Sequence, residues 1–142
     1  MTDKLYSILS APMEIQKDIV KLVSRKEAYV QTMSLSGIRY DQVKVKTSPR
    51  DRMPEYAARL EKLDNSIDKR RKDWTKACDR VTSLTKTLNS TEALIIEQHY
   101  LKGLTFTVIA AGIPLSESQT YKIRKAAIEK LEKTIVKRSI HR

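Results

Sequence analysis

A periodic run of residues between Tyr56 and Leu88 constrains the fold of this chain more than any other feature. Its seam positions follow one another at alternating steps of four and three residues, which places them on one face of an α-helix. The seam consists of Tyr56, Leu60, Leu63, Ile67, Arg70, Trp74, Ala77, Val81, Leu84 and Leu88. The pattern predicts a long helix that starts at Pro54 and packs along another helix. Its one charged position, Arg70, either pairs with an acidic residue on the partner helix or marks where that partner ends.

A second amphipathic helix is predicted from Met13 to Met33, directly after Pro12, which suits a helix start. Its seam is apolar except at Lys26, whose methylenes can lie along an apolar surface. An isolated helix of this kind leaves its apolar face in water, so we predict an antiparallel helical hairpin, or partial coiled coil. The first helix covers only part of the longer one. The remainder contacts either the C-terminal region or a second copy of the chain, which leaves a homo-oligomer open.

A basic loop is predicted between these helices, at about residues 34–53, because Ser36, Gly37 and the Ser48-Pro49 pair break the helical pattern. Residues 35–53 contain five basic and two acidic side chains. A loop of this length is either disordered or a contact surface. Its basic residues are a candidate secondary contact with nucleic acid: Arg39, Lys44, Lys46, Arg50 and Arg52.

Composition supports a helical, polyanion-binding protein. The chain has 142 residues with only three Gly and four Pro, and 28 Lys and Arg against 17 Asp and Glu give a net charge of +11. The single cysteine, Cys78, excludes an internal disulfide, and no apolar run approaches the roughly 20 residues that span a bilayer. We therefore expect a cytoplasmic, nucleoid-associated protein with no membrane partner.

Three further helices are predicted between Ser90 and Ser139. The first, about Thr91 to Leu101, is capped by Asn89 or Ser90, buries Leu94, Ile95, Tyr100 and Leu101, and is closed by Gly103 in the left-handed conformation. The second starts after the cap Thr105 and ends at Gly112. The third starts after the cap Ser116 and runs to about Ser139. Residues 116–142 carry eight basic and three acidic side chains, whereas residues 90–115 carry one and two.

This arrangement has the features that a helix-turn-helix requires. Ala110 and Ala111 allow the helices to approach closely, and Gly112 and Pro114 are expected to fix the turn. The third helix is expected to bury Thr120, Ile123, Ala127 and Leu131. The alternative is an ordinary three-helix bundle with a solvated basic helix. The fold class predicted is therefore all-α, with an N-terminal antiparallel helical hairpin in residues 1–88 and a C-terminal helix-turn-helix domain in residues 89–142.

The outward residues of the third helix are the predicted DNA-binding residues, because they can enter a major groove of double-stranded DNA. They are Ser116, Glu117, Ser118, Gln119, Tyr121, Lys122, Arg124, Lys125 and Lys130. Residues Glu117 to Gln119 and Lys122 are expected to read bases. Arg124, Lys125 and Lys130 are expected to hold phosphates, so that replacing Lys130 weakens binding to all DNA alike.

The C-terminal segment also resembles the sigma region-four-like domain of phage and prophage transcription regulators of the ArpU/RinA type. The matching residues are Tyr100, Lys102, Gly103, Ile109, Ala110, Ser116, Tyr121, Ala127 and Ile128. Ser36 to Asp41, followed by Val45 and Thr47 to Pro49, looks like the N-terminal half of such proteins, so the likeness covers most of the chain. One departure is the turn sequence Ile113-Pro114-Leu115, where a Leu-Gly-aromatic sequence is more usual, which implies a slightly different angle of the recognition helix.

The resemblance implies a transcriptional activator of late phage operons, typically packaging and structural genes, that acts through promoter DNA and host RNA polymerase. Two alternatives stay open at this point. The domain binds RNA polymerase rather than DNA, or the chain is a nonspecific nucleic-acid-binding structural component, which predicts equal affinity for unrelated duplexes.

Enzymatic activity finds no support in the sequence. The nucleotide-binding loop, dinucleotide-binding and nucleophile-elbow motifs are missing, and His99 and His141 have no cysteine or carboxylate cluster at ligand spacing. His99 is expected to be a surface or capping residue of its helix, and Cys78 a small packing residue. We therefore expect no catalytic residues, no metal and no cofactor.

Overall fold

The computed structural model describes the backbone of residues 1–42 and 49–140 and the side chains of residues 1–33 and 53–138. The described residues form helices and no strands, so the predicted all-α class is confirmed. The helices are α1 (Asp3–Gln42), α2 (Pro49–Thr85), α3 (Ser90–Tyr100), α4 (Phe106–Gly112) and α5 (Glu117–Ile140). None of the described helices is long and apolar enough to cross a membrane.

Both N-terminal helices are longer than their periodicity indicated. Helix α1 starts at Asp3, with Pro12 inside it, and not at Met13. The reason is tertiary packing: Leu5 and Leu9, one helical turn apart, are fully buried and thereby offset the backbone hydrogen bond that an internal proline removes. Thr2, directly before the helix, caps it, since its hydroxyl accepts from the Leu5 amide at 3.4 Å.

The helices on both sides of the predicted loop at 34–53 extend into that range. Helix α1 continues to Gln42 and α2 already begins at Pro49, with Pro54 inside it. Proline is well placed at a first helical position, where its missing N–H costs nothing. Residues 43–48, which include Lys44 and Lys46, lie outside the described residues, and the side chains of Arg39, Arg50 and Arg52 are likewise not described. The role of this basic segment stays a prediction.

Two compact units can be distinguished by their internal packing. One contains Gln16–Lys72, and the other contains Met1–Ile15 together with Asp73–Arg142. The division into domains 1–88 and 89–142 stays a prediction, but the unit that holds α3, α4 and α5 also takes in the start of α1 and the end of α2.

Within Gln16–Lys72, side chains of α1 and α2 pair in opposite order along the two helices. Arg70 forms an ion pair with Asp18, and Lys26 forms one with Asp64. Tyr29 stacks on Tyr56 with ring centroids 5.3 Å apart. Arg70 therefore has the acidic partner that the sequence left as one of two alternatives, and Lys26 is an ion-pair residue as well as a seam residue.

In the second unit, the core joins residues from both ends of the chain. Leu5 and Leu9 of α1 and Val81 and Leu84 of α2 pack in one cluster with α3 and α5. The cluster from α3 and α5 consists of Ile96, Ala127, Ile128, Leu131 and Ile135. The last two turns of α2 thus bury their seam against the C-terminal helices, which was one of the two occupants that the sequence allowed.

Candidate nucleic-acid interface

Helix α3 is fixed at both ends by the residues that local chemistry favours. The Asn89 side chain accepts from the Glu92 amide at 2.9 Å, and the Glu92 carboxylate accepts from the Asn89 amide at 3.2 Å, which together form a capping box. Asn89, rather than Ser90, is therefore the cap. At the other end Gly103 has a φ of 70°, as predicted for the residue that closes this helix. The buried face differs from expectation, since Ile96 is buried and Leu94 is 37% exposed.

Helix α4 begins as predicted, because the Thr105 hydroxyl accepts from the Val108 amide at 3.4 Å. It buries Ile109 and Ala110 against its neighbours, whereas Ala111 is exposed. Gly112 was expected to fix the turn, and this expectation is wrong for its backbone. Its φ is not positive, and a Cβ atom added there would meet nothing within 4 Å. Of the two alanines, only Ala110 needs to be small for the helices to approach.

The start of α5 is a second capping box. The Ser116 hydroxyl accepts from the Gln119 amide at 3.1 Å, and the Gln119 side-chain oxygen accepts from the Ser116 amide at 3.2 Å. Glu117 accepts from the Thr107 hydroxyl at 3.0 Å, which ties α5 to α4. Three of the predicted DNA-binding side chains, those of Ser116, Glu117 and Gln119, thus set the position of this helix end, although all of them remain exposed.

Helix α5 separates a buried face from an exposed one. Thr120, Ala127 and Leu131 are fully buried and Ile123 is half-buried, in agreement with the predicted inner face. On the other side, Ser118, Tyr121, Lys122 and Lys125 follow one another at helical spacing and are exposed. Among these, Ser118, Lys122 and Lys125 form no hydrogen bond or ion pair with any described residue, so their polar groups are open to a ligand.

Arg124 points into the protein and not toward solvent. Its guanidinium donates to the Tyr100 hydroxyl at 2.9 Å and lies over the Phe106 ring, with 5.7 Å between its central carbon and the ring centroid. Its Nε is buried without a hydrogen-bond partner in the described part of the chain. Arg124 therefore connects α3, α4 and α5. The sequence predicted it as a phosphate contact and did not indicate this role.

An aromatic cluster surrounds this arginine. Phe106 stacks on His99 with centroids 4.2 Å apart and contacts Tyr121 at 4.6 Å, while His99 meets Tyr100 edge-on at 4.7 Å. The His99 Nδ1 lies 2.9 Å from the Leu104 carbonyl oxygen, and because a carbonyl can only accept, this nitrogen carries the proton. His99 lies on α3, as expected, but it is half-buried and contacts a carbonyl of the loop after the helix, so it is neither a surface residue nor a cap. The cluster itself was missed, although Tyr100, Phe106 and Tyr121 hold three of the chain's few aromatic rings.

Lys130 also has an intramolecular partner. Its Nζ lies 2.8 Å from the Glu92 carboxylate, and the Glu92 side chain is 4% exposed. This carboxylate already caps α3, so the ion pair joins the middle of α5 to the start of α3. Removal of the cationic partner of a buried carboxylate destabilises the fold, because it leaves a buried charge unpaired. Lys130 is consequently a structural residue here, in addition to its predicted phosphate contact.

No cluster of three or more His, Cys, Asp or Glu side chains that could hold a metal occurs in the part of the chain that the structure describes. The partly buried Cys78 lies on α2, where desolvation and then the neighbouring Asp79 carboxylate raise the pKa of its thiol. A thiol with a raised pKa is less reactive at neutral pH, which fits the packing role expected for it.

The geometry thus presents one exposed helical face with uncommitted cationic and hydroxyl groups, held in place by two capping boxes and an aromatic cluster. Such a face can contact a polyanion without breaking any bond that holds the helices together. Tyr121 completes it with an exposed phenol beside Phe106.

No known protein family, no curated protein and no solved structure matches the chain.

Proposed function

We propose that this chain is a sequence-specific DNA-binding transcriptional regulator that inserts the start of α5 into the major groove of promoter DNA. The observation that carries the proposal is the exposed face of α5, on which Ser118, Lys122 and Lys125 are uncommitted. It lies at the N-terminal end of a helix that follows α4 after a four-residue connection, 113–116. This order of a short helix, a tight connection and a basic helix supports the proposed helix-turn-helix.

The proposed contacts follow from the partners of each side chain. Lys122 reads base edges, and Gln119 can add its amide nitrogen, because only its oxygen is used in the cap. Lys125 holds a phosphate. Lys130 was predicted to hold a phosphate as well, but it is paired with Glu92, and we therefore leave it out of the proposed contacts. The target genes proposed from the resemblance are late phage operons.

The first experiment is selection of binding sites from random duplex DNA by the purified full chain, followed by sequencing. We expect an enriched motif, and two spaced half-sites would indicate a dimer. Binding without any enriched motif contradicts sequence-specific recognition and favours the nonspecific alternative, which also predicts a steep salt dependence for every duplex.

Variants then test which residues carry the recognition. Lys122→Ala should cost about 1–3 kcal/mol on the selected site and relax the sequence preference there. Lys125→Ala should weaken selected and unrelated duplexes alike and lower the salt slope by about one. Lys69→Ala, an exposed lysine of α2 in the other compact unit, is the matched loss of charge and should change neither. If Lys122→Ala and Lys125→Ala both behave like Lys69→Ala, the assignment of α5 to the major groove is wrong.

As a second candidate function we propose that the same domain binds RNA polymerase, through a groove beside the α4–α5 connection. The groove has a volume of about 690 Å³ and is lined mainly by apolar side chains of α3, the connection and α5, including Leu94, Ile113, Leu115 and Ile123. Leu94→Glu separates the two functions. It should abolish capture of polymerase from nuclease-treated host lysate if the groove is used, while binding of selected DNA stays unchanged.

A further inference from the structure

A cleft at the other end of α5 combines an apolar floor with a cationic rim. It has a volume of about 690 Å³ and lies where the start of α1, the end of α2 and the end of α5 meet, within one compact unit. Its floor is formed by Ile8, Leu84 and Ile135, of which the last two are buried. The short side chains of Ser7 and Ser83 line it as well and leave the space between the helices unfilled. The volume is in the range of small-molecule sites.

The rim of the cleft carries two arginines without a described partner. Lys4, Arg80 and Arg138 line the cleft together with a single carboxylate, Asp79. Arg80 and Arg138 are exposed, and neither forms an ion pair or hydrogen bond with a residue that the structure describes. Guanidinium groups bind carboxylates and phosphates through two parallel hydrogen bonds, so two uncommitted arginines beside an apolar floor select for an anion that carries an apolar part.

We propose that this cleft binds a small amphipathic anion, with its anionic head group between Arg80 and Arg138 and its apolar chain on Leu84 and Ile135. The Ser7 and Ser83 hydroxyls are the additional donors for the head group. The site is separate from the proposed DNA contacts, because Arg138 lies 16 residues beyond Lys122 on α5, about 24 Å at the rise of an α-helix. Binding of an anion in this cleft does not require binding of DNA.

The test uses octanoate and 1-octanol as probes, titrated into the isotope-labelled full chain and followed by amide chemical shifts. The two probes have similar apolar chains and differ in the charge of the head group. We expect saturable shifts at Ser7 and Ser83 with octanoate and at least tenfold weaker binding of 1-octanol, because hydrogen bonds from a guanidinium group to a carboxylate are stronger than those to a neutral hydroxyl. Equal affinities, shifts that map outside the cleft, or no saturable binding of octanoate would overturn the proposal.

Two variants make the test specific to the cleft. Arg80→Gln combined with Arg138→Gln should weaken octanoate binding at least tenfold. The matched control, Lys62→Gln with Lys69→Gln on α2 in the other compact unit, removes the same charge and should stay within about twofold of the original chain. Ser83→Phe fills the cleft without changing the charge and should abolish binding, which decides the question if the arginine variant loses helix content. Unchanged affinity in either cleft variant contradicts the proposed site.

Discussion

The two described glycines at the ends of α3 and α4 allow one substitution to be compared in two backbone environments. Gly103 has a φ of 70°, and a Cβ atom there would lie 2.9 Å from the terminal methyl of Met13. Gly112 has no positive φ and open space around the same position. In Gly→Ala changes, the loss of unfolded-state entropy stabilises the protein by about 0.4–1 kcal/mol at either site, so it cancels in the comparison. The left-handed conformation costs an alanine about 1–2 kcal/mol.

We therefore expect Gly112→Ala to raise the free energy of unfolding by up to about 1 kcal/mol and Gly103→Ala to lower it, with the two variants about 1–2 kcal/mol apart. Urea unfolding followed by circular dichroism at 222 nm measures both. Gly103→Asn separates strain from contact, since asparagine tolerates the left-handed conformation but brings the same Cβ atom toward Met13. If Gly112→Ala destabilises the protein as much as Gly103→Ala does, Gly112 does fix the turn, and the reasoning from backbone geometry is refuted.

Three other substitutions test the contacts that cap α3 and those that hold α5 in place. Lys130→Met should lower the free energy of unfolding by about 1–2 kcal/mol, because it leaves the buried Glu92 carboxylate without its cation; adding Glu92→Gln should recover part of the loss in a double-mutant cycle, and full additivity would contradict the pairing. Asn89→Ala should cost about 1 kcal/mol in urea unfolding through the lost cap of α3, whereas Ser90→Ala should cost much less. Arg124→Ala should lower both the midpoint of thermal unfolding and DNA affinity, whereas Lys125→Ala should lower affinity alone; a loss of affinity at full stability in Arg124→Ala would place this residue on DNA after all.

Features that depend on local chemistry could be predicted from the sequence. Thr105 and Ser116 were identified as caps because a hydroxyl before a helix satisfies its first free amides wherever the helix lies. The inner face of α5 could be predicted for a similar reason, since Thr120, Ala127 and Leu131 follow helical periodicity. Such signals are contained within a few residues and do not require knowledge of the neighbouring elements.

Features that depend on neighbouring helices could not be predicted in this way. The start of α1 was missed because burial of Leu5 against α2, α3 and α5, and not the local sequence around Pro12, stabilises that segment. Arg124 and Lys130 border the inner face of α5, and periodicity gives the direction of a side chain without showing what lies within its reach. Arg124 reaches the Phe106 ring and Lys130 reaches the Glu92 carboxylate, and the sequence alone does not show that either partner is near.

The cationic side chains of α5 differ in whether they contact other helices. Arg124 and Lys130 contact α3 and α4, and moving either side chain toward a phosphate would break a contact that orients α5. Lys122 and Lys125 form no such contact with a described residue, so binding of a phosphate by either one would break no contact within the described helices and would cost only side-chain entropy. A cation that both orients a helix and binds its ligand couples affinity to stability, whereas an uncommitted cation changes affinity alone. If α5 binds DNA as proposed, substitutions on its exposed face should therefore change binding specificity without altering the fold of the described helices.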